Sequence, residues 1–361
     1  MEYFDRFVSN TLAGSGNQFC LKLEDAEKIR TGRVYYKIFS GGAYNYSLLF
    51  SNIIDSTYSE GQDSRKNIVC DQWHIESLRL GICDDCNCEE MTESESFIPL
   101  TFQGKASKTV MPGEFFCTDE VLLDVKKDQY ICLEMAFRGK EIPHHPETRL
   151  PMFLLEEGKW VPSQKMPVPG MIGCDRKVNR RIAFLGDSIT QGIGPAMNSY
   201  AHWNAVLAEL LGEEDSYWNL GLGYGRADDV ASEGPWIFKA KQADVVFLCF
   251  GVNDLYRGFA EDVIIRNLRT IVERLDENGV QVIVQTIPPF NYDEPRRPMW
   301  ERINTFIREE LGKNHMIFDT VPVLGDPEKG LNIAKYGGHP DEEGSLLWAQ
   351  ALYKMLKENN F

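Results

Sequence analysis

The sequence predicts an α/β protein whose C-terminal half is a doubly wound parallel sheet, preceded by an all-β, jelly-roll-like sandwich. Three observations carry this. Strand-like runs follow one another through residue 137 with no good helix between them; from Arg181 onward strand runs alternate with amphipathic helical stretches; and a segment rich in Pro and Gly, VPSQKMPVPGMIGCDRKVNR, lies between the two regimes. A chain of 361 residues exceeds what one hydrophobic core usually serves, so two domains are expected, 1–175 and 176–361.

In the first half the runs are RVYYKIFS, YNYSLLFSN, WHIESLRLGI, IPLTFQG, EVLLDV and YICLEMAF. They are rich in β-branched and aromatic residues, which suit a pleated, half-buried surface. Gly41-Gly42, Pro112-Gly113 and Lys127-Asp128 punctuate them. Strands this closely spaced pair antiparallel. In the second half RIAFLG, DSYWNLG, ADVVFLCFG, VQVIVQTI and MIFDTV read as strands. SYAHWNAVLAELLG, EDVIIRNLRTIVERLDENG, PMWERINTFIREELG and DEEGSLLWAQALYKMLKE read as the helices between and after them.

Composition narrows the function. Apolar residues make up 43% and charged residues 25%, as in ordinary globular proteins. The net charge of −16 argues against nucleic-acid binding or docking on an anionic membrane. No segment is long and apolar enough to span a bilayer. The N-terminal MEYFDRFVSN has neither a basic nor an apolar signal region, so a cytoplasmic protein is expected. Nine Cys exclude a fully paired framework, and most are expected to be small buried hydrophobes. Cys83, Cys86 and Cys88 in CDDCNC invite a zinc reading, with His144 and His145 as distant helpers. The four-ligand spacing of a structural site is missing and the surroundings are acidic and irregular, so a loop is expected, with no metal and no cofactor.

In a doubly wound sheet the ligand site lies beyond the carboxyl ends of the strands. The first strand runs through Gly186 into Asp187-Ser188. A Ser on a sharp strand-to-helix turn is exposed, and nearby backbone N–H groups can stabilise an oxyanion. GDS alone suits a helix cap equally well. GDSITQGIGP matches neither phosphate-loop pattern, so nucleotide binding is not expected. The second strand ends in NLGLGYGRADD, whose glycines let the backbone approach a ligand. The third ends in FGVNDLYRG, where Asn253 can act as a neutral donor. Of six His, only His339, in KYGGHPDEEG, lies in a loop at the carboxyl edge, which makes it the preferred base for Ser188.

GDSITQG, the glycine-rich turn, GVND and the late HP together resemble the four blocks of the SGNH, or GDSL-type, hydrolase superfamily, from about Arg181 to the end. The front half, through YNYSLLFSN, FIPLTFQGKASKTVMPGEFFCTDEVLLDV and YICLEMAFRG, resembles the jelly-roll-like domain that precedes the catalytic domain in some carbohydrate esterases. The resemblance implies a flavodoxin-like catalytic sheet, Ser188 as nucleophile and His339 as base. It also implies an oxyanion hole of Asn253, the Ser188 N–H and one N–H of the glycine turn. The family's donor glycine falls on Tyr224, and the neighbouring Gly223 is the expected donor. The family's acid, three residues before the His, is replaced by Tyr336. A Ser–His dyad is therefore expected, with the imidazole held by a neutral acceptor such as a backbone carbonyl of the preceding loop.

The expected substrate is a small-molecule or oligosaccharide ester bearing a short acyl group, probed first as O-acetyl. Asp187, Tyr224, Arg297 and Trp300 are the candidate substrate contacts, although Trp300 suits helix packing equally. A lipase-type esterase and a non-catalytic carbohydrate-binding protein are the alternatives.

Overall fold

A computed structural model describes residues 2–14, 16–55, 66–87 and 97–361. Cys88 lies outside the described residues. Residues up to Asp55 and Asn67–Lys177 form one compact unit, and Lys66 with Val178–Phe361 form the other.

Apart from the short helix Tyr3–Arg6, the described part of the first unit is built on strands. One antiparallel sheet is ordered Val8–Ser9, Met171–Cys174, Gly42–Ser51, Phe115–Cys117, with Val121–Val125 also paired to Gly42–Ser51. A second centres on Tyr130–Gly139, flanked by Arg30–Lys37 and Trp73–Cys83, and Phe19–Lys22 pairs with Glu141–His144 in a two-stranded third. The aromatic and β-branched runs fill the interior: Val34, Tyr35, Tyr36, Ile131, Leu133 and Phe137 are fully buried. Met171–Cys174 sits inside the segment that reads as a linker, yet it is buried along its whole length and pairs with Tyr46–Leu49.

The second unit holds five parallel strands: β1 (Arg181–Gly186), β2 (Ser216–Asn219), β3 (Val245–Cys249), β4 (Gln281–Gln285) and β5 (Met316–Phe318). Their order is 2-1-3-4-5, the flavodoxin-like arrangement, with the chain reversing direction across the sheet at β1/β3. The helices are α1 (Ser188–Gln191), α2 (Trp203–Leu211), α3 (Ala227–Val230), α4 (Pro235–Ala240), α5 (Val252–Tyr256), α6 (Glu261–Asp276), α7 (Arg296–Glu309), α8 (Val321–Leu324) and α9 (Glu342–Glu358). The central strand β3 is apolar throughout because helices cover both faces of the sheet, and Trp203 of α2 stacks on Trp348 of α9. Among the described residues no helix is long and apolar enough to cross a membrane.

Cysteine usage departs from expectation at one pair: Cys20 and Cys70 are joined by a disulfide. Cys132, Cys174 and Cys249 are buried thiols, as small hydrophobes should be.

Candidate active site

β1 delivers the chain to the carboxyl edge of the sheet, and α1 begins at once with Ser188. Asp187 caps that helix, its carboxylate accepting the N–H of Ile189 at 3.0 Å. The cap turns the Ser188 side chain outward. Ser188 Oγ lies 2.8 Å from Nε2 of His339, which sits in the loop before α9. The two loops meet backbone to backbone: a Cβ on Gly194, whose φ is +130°, would run into the carbonyl oxygens of Pro340 and His339. The ring of His339 meets the edge of Phe290 at 5.5 Å between centroids. Phe290 gets that close because Gly338 has no Cβ; one placed there would be 2.8 Å from the Phe ring. Burial pushes the imidazole below the usual histidine range, which keeps Nε2 free to accept a proton at neutral pH.

No described residue hydrogen-bonds His339 Nδ1, so the expected backbone carbonyl does not hold it. No carboxylate replaces it. Asp341 caps α9 through the Gly344 N–H, Asp319 pairs with Arg308, and Asp326 accepts the N–H groups of Glu328 and Lys329. Tyr336 packs against Gly344, and its carbonyl accepts the Asp341 N–H. The ring is therefore oriented by Phe290 and by the Ser188 bond.

Asn253 is the second residue of α5, after β3, the strand beside β1. Its Nδ2 donates to the Gly225 carbonyl at 2.9 Å, leaving a second amide hydrogen without an acceptor among the described residues. The Ser188 N–H likewise donates to none of them. Gly223 is a correction: its N–H is committed to Gln191 Oε1 at 2.5 Å, so the expected donor is already engaged inside the protein. Tyr224, one residue on, has a left-handed backbone (φ +61°), and the guanidinium of Arg257 lies 5.9 Å above its ring.

Three other expectations fail on geometry. Asp187 is 2% exposed and serves as the cap; burial, and secondarily the nearby Asp254, push its carboxyl up to about 7. Trp300 is buried, donates to the Ile287 carbonyl at 2.8 Å and stacks on Tyr292, so its indole packs α7. Arg297 is half exposed on the first turn of α7 and pairs with Glu294 and Glu301. Residues that motif reasoning missed stand nearer. Tyr256, exposed at the end of α5, meets Phe290 edge-on at 5.3 Å and donates to its carbonyl. Gln191 ties the glycine turn to the helix that Ser188 begins. The only available signal for Gln191 was its place inside GDSITQG.

The parallel sheet thus carries a hydrogen-bonded Ser–His pair at its carboxyl edge. Residues 184–347 match the GDSL-like lipase/acylhydrolase family, which supports an SGNH/GDSL-type esterase. A Vibrio mimicus arylesterase is 25% identical over 172 residues, 46% of this chain and 83% of that protein. Among solved structures, a catalytic mutant of an acetylxylan esterase from Geobacillus stearothermophilus is 21% identical, covering 52% of this chain and 96% of its own, with a TM-score of 0.40. A member of the lipolytic G-D-S-L family from Veillonella parvula is 17% identical, covering 49% and 97%, with a TM-score of 0.39.

Proposed function

We propose that the protein hydrolyses short-chain, O-acetyl esters of a carbohydrate through an acyl-enzyme intermediate, with Ser188 as nucleophile and His339 as general base. The observation that carries this is the 2.8 Å bond between Ser188 Oγ and an imidazole kept neutral by burial. His339 takes the Oγ proton as the oxygen attacks the ester carbonyl, then returns it to the leaving alcohol. The oxyanion is held by the Ser188 N–H, the second amide hydrogen of Asn253 and the Tyr224 N–H. Each such donor lowers the barrier by roughly 3 kcal/mol. Tyr224 takes the place first expected of Gly223 because Gln191 already occupies the Gly223 N–H. Water releases the acid by the same steps in reverse. The chemistry needs no cofactor.

The front unit reads as a jelly-roll-like accessory module on which activity depends. Its two larger antiparallel sheets support the jelly-roll part of that reading. A p-nitrophenyl ester series tests the whole proposal. Acetyl should be turned over fastest, a fluorophosphonate should label Ser188, and Ser188→Ala should abolish both while the melting curve stays put. Labelling at another serine removes the proposed nucleophile. An optimum at eight carbons or longer indicates a lipase. Undiminished activity of residues 178–361 on polymeric and small substrates alike dismisses the role of the front unit.

A further inference from the structure

The esterase reading leaves one cation beside the site unused. Arg257 lies four residues after Asn253, and its backbone N–H donates to the Asn253 carbonyl at 2.8 Å, so the two side chains leave one face of α5 a helical turn apart. The glycine turn packs on that face: Gly225 accepts the Asn253 amide, and the ring of Tyr224 lies under the Arg257 guanidinium at 5.9 Å. Arg257 is half-buried. Among the described residues it forms no ion pair, and its guanidinium donates no hydrogen bond. It keeps its five donors in a chain with 54 acidic residues to pair with. Tyr224 adds a second, independent observation. A tyrosine held at φ +61° costs of order 1 kcal/mol where glycine would be free, and its ring is what seats the guanidinium.

We infer that Arg257, seated on Tyr224, is a specificity-determining residue that receives a carboxylate on the substrate, making the preferred substrate an O-acetylated sugar acid, a uronate, over a neutral sugar. The inference rests on the esterase reading of Ser188 and His339. A planar guanidinium matches a carboxylate in two parallel hydrogen bonds, a geometry an ammonium cannot supply. The net charge of −16 repels anions in general, so a local anion preference has to come from a placed group. Tyr256 and Phe290 stand edge to face nearby, with the Arg296 guanidinium 4.7 Å from the Tyr256 ring.

The test compares the 2-, 3- and 4-O-acetyl esters of methyl β-D-glucuronide with the same esters of methyl β-D-glucoside on the full chain. The expected result is a kcat/KM at least tenfold higher for the best glucuronide than for its glucoside counterpart. In Arg257→Gln that ratio should collapse to near one. Arg257→Lys, which keeps the charge without the fork, should fall between, and unchanged melting temperatures show that both variants fold. A ratio near one in the native protein, with acetyl transfer to water intact, overturns the inference and leaves the esterase standing. A ratio that survives Arg257→Gln overturns the assignment of this residue. Failure to hydrolyse any of the esters, with Ser188 unlabelled, overturns both together.

Discussion

No carboxylate among the described residues fixes the tautomer of His339, and its Nδ1 finds no protein partner among them. Two consequences can be measured. Because burial disfavours the imidazolium, the base stays neutral to lower pH than a free histidine; kcat/KM should fall on the acid side along a single-proton limb centred below 6.5. A limb centred above 6.5 contradicts a base held neutral by burial. Tyr336→Phe should cost less than tenfold, about 1.4 kcal/mol of barrier, since its contacts are to the last helix, whereas His339→Ala should cost orders of magnitude. The positions of Ser188, Asn253 and His339 at the carboxyl edge were legible because each follows a strand or precedes a helix there. Trp300 and Arg297 were misplaced for the opposite reason: an aromatic and a cation in a loop-like segment carry no sign of which way they face. Gly223 was misassigned because an amide hydrogen's partner, here a Gln 32 residues away, leaves no trace in local spacing.

At the scale of elements, the spacing of Ser188 and His339 depends on two loops that touch through Gly194. Its missing side chain lets the chain after α1 rest on the carbonyls of His339 and Pro340. Gly194→Ala adds one methyl as a wedge, on a backbone at φ +130° that alanine avoids. Turnover should drop tenfold or more, with about 1 kcal/mol of stability lost to strain. Gly212→Ala separates the two effects. Its φ is +96° and no atom lies within 4 Å of its would-be Cβ, so it should lose similar stability and keep its turnover. Equal losses of activity in the two variants would show that strain alone is responsible. The parallel strands and long helices were readable from periodicity, because apolar runs of five alternate with amphipathic stretches of 14 to 17 residues. Met171–Cys174 was not. Four residues flanked by Pro and Gly look like a linker, and what makes them a strand is pairing with Tyr46–Leu49, far away in sequence.

On the scale of the whole molecule, the sequence divides into two regimes because two kinds of hydrophobic pattern need two kinds of partner layer, and the contacts divide between Lys177 and Val178. The bond between Cys20 and Cys70 was invisible to spacing, since nine cysteines allow many pairings. It closes a sequence separation of 50, which in the chain-entropy view stabilises the fold by about 4 kcal/mol. Reductant, or Cys20→Ser, should therefore lower the melting temperature by roughly 10 °C. A shift under 2 °C means the bond contributes little. The same bond changes what a cut in the backbone does. A protease that nicks the chain once anywhere between Cys20 and Cys70 leaves two pieces still tied by sulfur. They should migrate as one band on a non-reducing gel and part only when thiol is added, so in that stretch the main chain can be broken and the molecule remain whole.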